Sequence, residues 1–173
     1  LYGDEFHGGS WAKLELMLHP ELDAYLAMAN PDSKIPVWKD VLADIETPLS
    51  TYWKLAHDEE HSFLLESVTG GEQVARYSLI GVRPIQVFRS GQGSENDPLD
   101  WVRKHVPSVT FEAAEGLPKF VGGAVGMIAY DYVRCIERLP DSTRDDLDLD
   151  DVALMLAETV VVFDHAKNKI RVV

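Results

Sequence analysis

Residues 62–89 read SFLLESVTGGEQVARYSLIGVRPIQVFR, and three short apolar runs stand out in them, at 62–68, 75–82 and 84–89. Gly70-Gly71 and Gly81 punctuate these runs, and Gly91-Gln92-Gly93 closes the last. Short runs rich in β-branched and aromatic residues, bounded by turn residues, predict strands, and their close succession predicts an antiparallel meander. Within 62–68, alternation sends Leu65 and Ser67 to one face and Leu64 and Glu66 to the other. One of the two polar groups therefore meets the interior, where an unpartnered acid or hydroxyl costs about 1–3 kcal/mol or more. Two readings follow. Arg76 on the next run supplies the partner and the pair is structural, or Glu66 neutralises a ligand ammonium. In the second case Ser67 and nearby backbone bind polar atoms, while the leucines and aromatics enclose an apolar side chain.

Working outward, Leu22, Tyr25, Leu26 and Ala29 recur at helical spacing over 21–29 before Asn30-Pro31 stops the pattern. Residues 35–42 read as a strand, and Thr47-Pro48 as an N-cap with proline at the first helical position. Asp97-Pro98 opens a further helix, with Leu99, Val102 and Val106 inward and Arg103 and Lys104 near its C-terminal end. Residues 118–130 carry Gly122, Gly123 and Gly126 among Val121, Val125, Met127 and Ile128, the pattern of a bent strand passing close to another backbone. Two β-rich runs, 152–163 and 169–173, bracket a five-residue connection from Asp164 to Asn168. Strands interleaved with short helices predict an α+β fold of mainly antiparallel β-sheets packed on one another with short flanking helices. Residues 1–19, with Gly3, Gly8 and Gly9 and little to pack, are expected to lie outside that fold, leaving 20–173 as its domain.

The chain has 16 basic and 29 acidic residues and a formal charge of −13, a field that repels phosphate backbones and anionic lipid. Neither a nucleic-acid nor a membrane partner is expected, and no apolar stretch approaches the length of a spanning helix. The single cysteine, Cys135, forms no internal disulfide, which fits a cytoplasmic location. No metal site is read. In His57-Asp58-Glu59-Glu60-His61 the order required of a zinc helix fails at Asp58. The acidic series Asp146, Asp148 and Asp150 has Asp151 where a calcium loop needs glycine and Ala157 where it needs glutamate. Gly91-Gln92-Gly93 lacks the third glycine of a dinucleotide loop, and Cys135 has no adjacent base to make it a nucleophile.

Four blocks in order, TPLSTYWKL (47–55), FLLESVTGGEQVARYSLIG (63–81), LPKFVGGAVGMIAYDYVR (117–134) and VFDHAKNKIRVV (162–173), together resemble the N-terminal region of anthranilate synthase component I. The resemblance covers about 20–173, with departures at Met127 and Ala75 that read as packing variation. It implies a regulatory and structural domain of a larger enzyme, a lyase that makes anthranilate and pyruvate from chorismate and ammonia in tryptophan biosynthesis. The catalytic residues and magnesium ligands would lie in a chorismate-binding domain absent from these residues. The chain alone would then hold no catalytic residue and no cofactor. The ammonia would come from glutamine through a glutamine amidotransferase subunit, component II. The same resemblance places the feedback inhibitor L-tryptophan at Leu65, Glu66 and Ser67, with Arg76 and Tyr77 as supporting residues, and makes the site half of an allosteric pocket. Two alternatives are the equivalent domain of aminodeoxychorismate synthase component I, in the folate pathway, and a non-enzymatic module that binds a protein partner.

Overall fold

A computed structural model describes residues 17–31, 34–42, 44–66, 76–90, 97–106, 116–140 and 144–173. In chain order these form β1 (Leu18–His19), α1 (Leu22–Met28), β2 (Trp38–Leu42), α2 (Pro48–Ala56), β3 (Ser62–Glu66), β4 (Tyr77–Val82) and β5 (Gln86–Ser90). There follow α3 (Pro98–His105), β6 (Gly123–Ile128), a 3₁₀ turn (Tyr130–Cys135), β7 (Val152–Ala157), β8 (Val161–Asp164) and β9 (Lys169–Val172). Six strands make one sheet in the order β1-β2-β9-β8-β4-β3 and three make another in the order β5-β7-β6. Every described pairing is antiparallel, so the expected α+β architecture of packed antiparallel sheets is the one found. Among the described residues no helix is long and apolar enough to cross a membrane.

The helix α2 forms where its cap predicts. Thr47 Oγ1 accepts from the Ser50 amide at 3.0 Å, Ser50 Oγ accepts from the Thr47 amide at 2.9 Å, and Pro48 occupies the first turn. At α3 the Asp97 carboxylate caps the Leu99 amide, and Arg103, Lys104 and His105 complement the C-terminal end of the helix dipole.

The large sheet is apolar on both faces, and each face has its own cover. On one face, Ile80, Phe163 and Ile170 pack with Leu64 beneath Tyr52 and Leu55 of α2. On the other, Phe63, Val160 and Val162 pack with Tyr77 and Leu79 against Val125 and Met155 of the three-stranded sheet. Registration makes this possible: Phe63 lies opposite Gly81, and its ring fills the space where a side chain at Gly81 would begin.

Three expectations are corrected by this topology. The meander does not continue past β4, because Arg83 takes a left-handed conformation (φ 52°) before Pro84, and the chain leaves the sheet. The Ile85 amide then bonds the Leu156 carbonyl at 2.9 Å and β5 joins β7 instead. The run 152–163 is two strands in two sheets, the change occurring around Val160, which exchanges two 3.0 Å backbone bonds with Val173. Asp164 is the last residue of β8, paired with Lys169, so the connection shortens to four residues ending in left-handed Asn168. Leu18–His19, within the segment set aside from the fold, pairs with β2, while residues 1–16 lie outside the described residues, as do Gly91-Gln92-Gly93.

Candidate functional site

The strand β3 is an edge of the large sheet, and Glu66 is its last residue. Leu64, Leu65, Glu66, Tyr77 and Leu79 line an open depression of about 460 Å³ around this edge, within the size range of small-molecule sites. Leu65 is 45% exposed and Glu66 is exposed as well, so neither polar burial nor packing explains the acid at this place. Ser67, the third residue of the predicted site, lies outside the described residues.

Arg76 and Tyr77 stand next to this edge but do other work. Arg76 was the expected partner of Glu66; it is taken by Asp164 instead. Arg76 Nε donates to Asp164 Oδ1 at 3.0 Å and Nη2 to Oδ2 at 2.7 Å, a bidentate pair. Asp164 is only 1% exposed, and its Oδ1 also accepts from the Lys167 amide at 3.3 Å. A buried carboxylate beside a strand end is a stronger claim on a guanidinium than an exposed one, because it has no water to replace the bond. The Arg76 guanidinium also lies 4.8 Å above the Tyr77 ring, whose hydroxyl reaches the Gly116 carbonyl at 3.4 Å. Nearby, Arg171 donates to Asp40 at 2.8 Å and to the Gly116 carbonyl, and Lys169 donates to Asp40 at 3.1 Å.

These pairs set an acid limit to stability. Burial pushes the Asp164 carboxyl up, but the Arg76 hydrogen bonds and charge outweigh it and hold the group below the usual carboxylate range. Asp40 behaves alike: burial raises it, and Arg171 and Lys169 bring it below its ordinary value. A folded value below the unfolded 3.8 means that stability is fully present above about pH 4 and is lost as pH falls through the folded values. The urea midpoint is therefore expected to drop between pH 5 and pH 3, and Asp164→Asn should flatten that slope. An equal slope in the variant would show that this pair does not carry the effect.

Two polar residues that the sequence reading passed over complete the surroundings of Glu66. Ser78, directly opposite Glu66 on β4, is 2% exposed. Its hydroxyl meets Glu66 Oε1 at 3.4 Å and His165 Nε2 at 2.7 Å. The available signal was alternation, which sets Ser78 two residues before Ile80 on the same face; its register with Glu66 depends on a turn whose length alternation does not fix. The set is not a nucleophilic triad. The serine is enclosed, and the acid touches the serine and not the far nitrogen of the histidine.

In the two clusters weighed as metal sites, several groups are paired with neighbours or capping amides. His57 Nε2 is 2.8 Å from Asp58, His61 Nε2 is 3.6 Å from Glu60, and Glu59 pairs with Arg83 at 2.9 Å. Asp145 caps the amides of Leu147 and Asp148, and Asp150 pairs with Arg89. Among the described residues no group of three or more potential ligands could hold a metal ion. What the edge of β3 offers is a carboxylate beside an apolar depression, suited to an ammonium attached to an apolar body.

No family model matches the chain. The sequence is 38% identical over 170 residues to anthranilate synthase component 1 of Acetivibrio thermocellus, covering 91% of this chain and 34% of that protein. It is 36% identical over 184 aligned positions to anthranilate synthase component 1 of Mycolicibacterium smegmatis (99% and 34%). For the Thermus thermophilus protein of the same name, identity is 43% over 147 residues (80% and 31%). The crystal structure of anthranilate synthase component I from Streptococcus pneumoniae is 27% identical, with a TM-score of 0.48 over 75% of this chain and 30% of that one. The chain spans about a third of the length of these curated relatives.

Proposed function

The chain is homologous to anthranilate synthase component I over about a third of that protein's length, and on this premise we propose that it is the family's N-terminal regulatory and structural domain. The complete protein would act in the cytoplasm in tryptophan biosynthesis, converting chorismate and ammonia to anthranilate and pyruvate. Catalytic residues and magnesium would reside in a chorismate-binding domain beyond these 173 residues, and ammonia would come from the component II amidotransferase.

The role of this chain would be to carry half of a tryptophan pocket at Leu65, Glu66 and Ser67. One observation carries the reading: Glu66 stands at the rim of the depression lined by Leu64, Leu65, Tyr77 and Leu79, with no cationic partner among the described residues. An α-ammonium would satisfy that charge while the apolar lining covers part of an indole ring. Arg76 and Tyr77 would support the site from behind, through the ion pair that fixes the end of β4. Inhibition follows if the bound amino acid favours one arrangement of the two domains and chorismate another, a coupling that is reciprocal in binding free energy.

The test is made in the complete gene product, where anthranilate formation is followed by its fluorescence. Ser67→Ala is expected to raise the tryptophan concentration for half-inhibition at least about tenfold, the loss of a hydrogen bond to a charged group, with uninhibited turnover nearly unchanged. Collapsed turnover with retained sensitivity would place Ser67 in the chemistry and overturn the reading.

A further inference from the structure

We propose that His165 is a positioning residue for this same effector site, acting on the Glu66 carboxylate through the enclosed Ser78 hydroxyl. The inference rests on the reading of Glu66 as an ammonium-binding group. Residues from three neighbouring strands meet here: Glu66 at the close of β3, Ser78 inside β4, and His165 immediately after β8. The outer two are exposed and the middle one is buried, so a solvent-facing imidazole and a solvent-facing acid are joined by a hydroxyl that water does not reach.

A serine hydroxyl has one proton to give and two acceptor positions. That proton goes to Glu66 Oε1 at 3.4 Å, since an ionised carboxylate only accepts, and the acceptor side of Ser78 Oγ faces His165 Nε2 at 2.7 Å. With its proton on Nε2, the ring donates to Ser78 Oγ. Donation from His165 therefore pins the hydroxyl in the orientation that holds Glu66, and without the ring that orientation is no longer fixed. A chain of two aligned bonds strengthens each of its members.

His165 is itself anchored well enough to act in this way. Its amide donates to the Arg76 carbonyl at 2.9 Å, and its ring stacks on Phe163 at 6.4 Å between centroids. The adjacent Asp164 is clamped by Arg76 and by the Lys167 amide, so the start of the turn is fixed at both sides. Among the described residues, the charged groups beside His165 are Arg76 and Asp164, which satisfy one another, and Lys167 in the same turn. From α2, the residues packed on this face are Tyr52 and Leu55, which bring no charge at neutral pH.

The experiment measures tryptophan affinity of the complete gene product by calorimetry for the parent, His165→Ala, His165→Gln, Glu66→Gln and the double variant His165→Ala/Glu66→Gln. His165→Ala is expected to weaken binding about fivefold with kcat and the KM for chorismate unchanged, the scale of one lost neutral hydrogen bond. His165→Gln, whose side-chain amide can donate to Ser78, should recover most of that loss. In the Glu66→Gln background the His165→Ala effect should vanish, since the two act through one link. If Glu66→Gln weakens binding but His165→Ala stays within about twofold of the parent, the positioning role is wrong and the effector site stands. If the His165→Ala loss persists undiminished in the Glu66→Gln background, His165 acts by another route and the proposal falls. If tryptophan binds neither the parent nor any variant, the site reading fails and the positioning role fails with it.

Discussion

Truncating Phe63 to alanine is expected to cost about 3–5 kcal/mol of stability, the range for deleting a buried aromatic ring. Phe63 is 7% exposed and packs with Val160 and Val162 at the centre of the cluster that joins the two sheets. The site has little means to collapse. The residue opposite is Gly81, which has no side chain to move into the vacated space, so the alanine leaves a void bounded by backbone. The consequence reaches beyond stability, because among the described residues β4 is the one strand paired with the edge strand β3, and Phe63 is its anchor on the side facing the second sheet. Urea unfolding followed by circular dichroism should show a lower midpoint with little change in slope. Phe63→Leu, retaining most of the volume, should lose much less. A loss below about 1 kcal/mol for the alanine variant would mean that the ring does not occupy this core.

Gly126→Ala is expected to be nearly as damaging for the opposite reason. Gly126 lies in β6 opposite Leu154, and a methyl group there would run into the Ala153 carbonyl, with the Ala153 carbonyl carbon and Leu154 Cα both at 2.9 Å. These are backbone atoms of β7, the middle strand of the three-stranded sheet, and no rotamer change can relieve the overlap. The strands must separate, carrying Val125 away from its packing on the Phe63 and Val162 cluster. The loss should lie at or above the upper end of about 1–3 kcal/mol for an overpacked position. Met127→Ala, at the neighbouring and 47% exposed position, provides the control and should change stability by less than about 1 kcal/mol. Equal midpoints for the two variants would show that β6 does not approach β7 this closely.

The close approach at Gly126 was legible in the sequence, since three glycines amid Val121, Val125 and Ile128 fit a strand lying tight against another better than any helix. So was the start of α2, because Thr47, Pro48 and Ser50 are a local device that needs no information from elsewhere in the chain. The allocation of strands to sheets was not. Periodicity reports which face of a strand is apolar and says nothing of its neighbours, so 84–89 looked like a third meander strand and 152–163 like one strand. At the site, alternation put Leu64 and Glu66 on one face and Leu65 on the other, but it did not foresee that Glu66 would be exposed at the strand's end. Nor did it foresee the partner of Arg76, since Asp164 lies 88 residues away and looked like part of a turn. Ser78 was invisible as a neighbour of Glu66 for a related reason: the link between β3 and β4 does not declare its register.

The backbone passes from the large sheet to the small one between Val82 and Gln86, and returns between Ala157 and Val161. Each crossing is a covalent stitch only a few residues long, so neither layer can peel away while the other stays intact. Melting is thus a property of the whole sandwich, and slackening in the β5-β7-β6 layer is transmitted along β4 and β8 to the rim that holds Glu66 and His165.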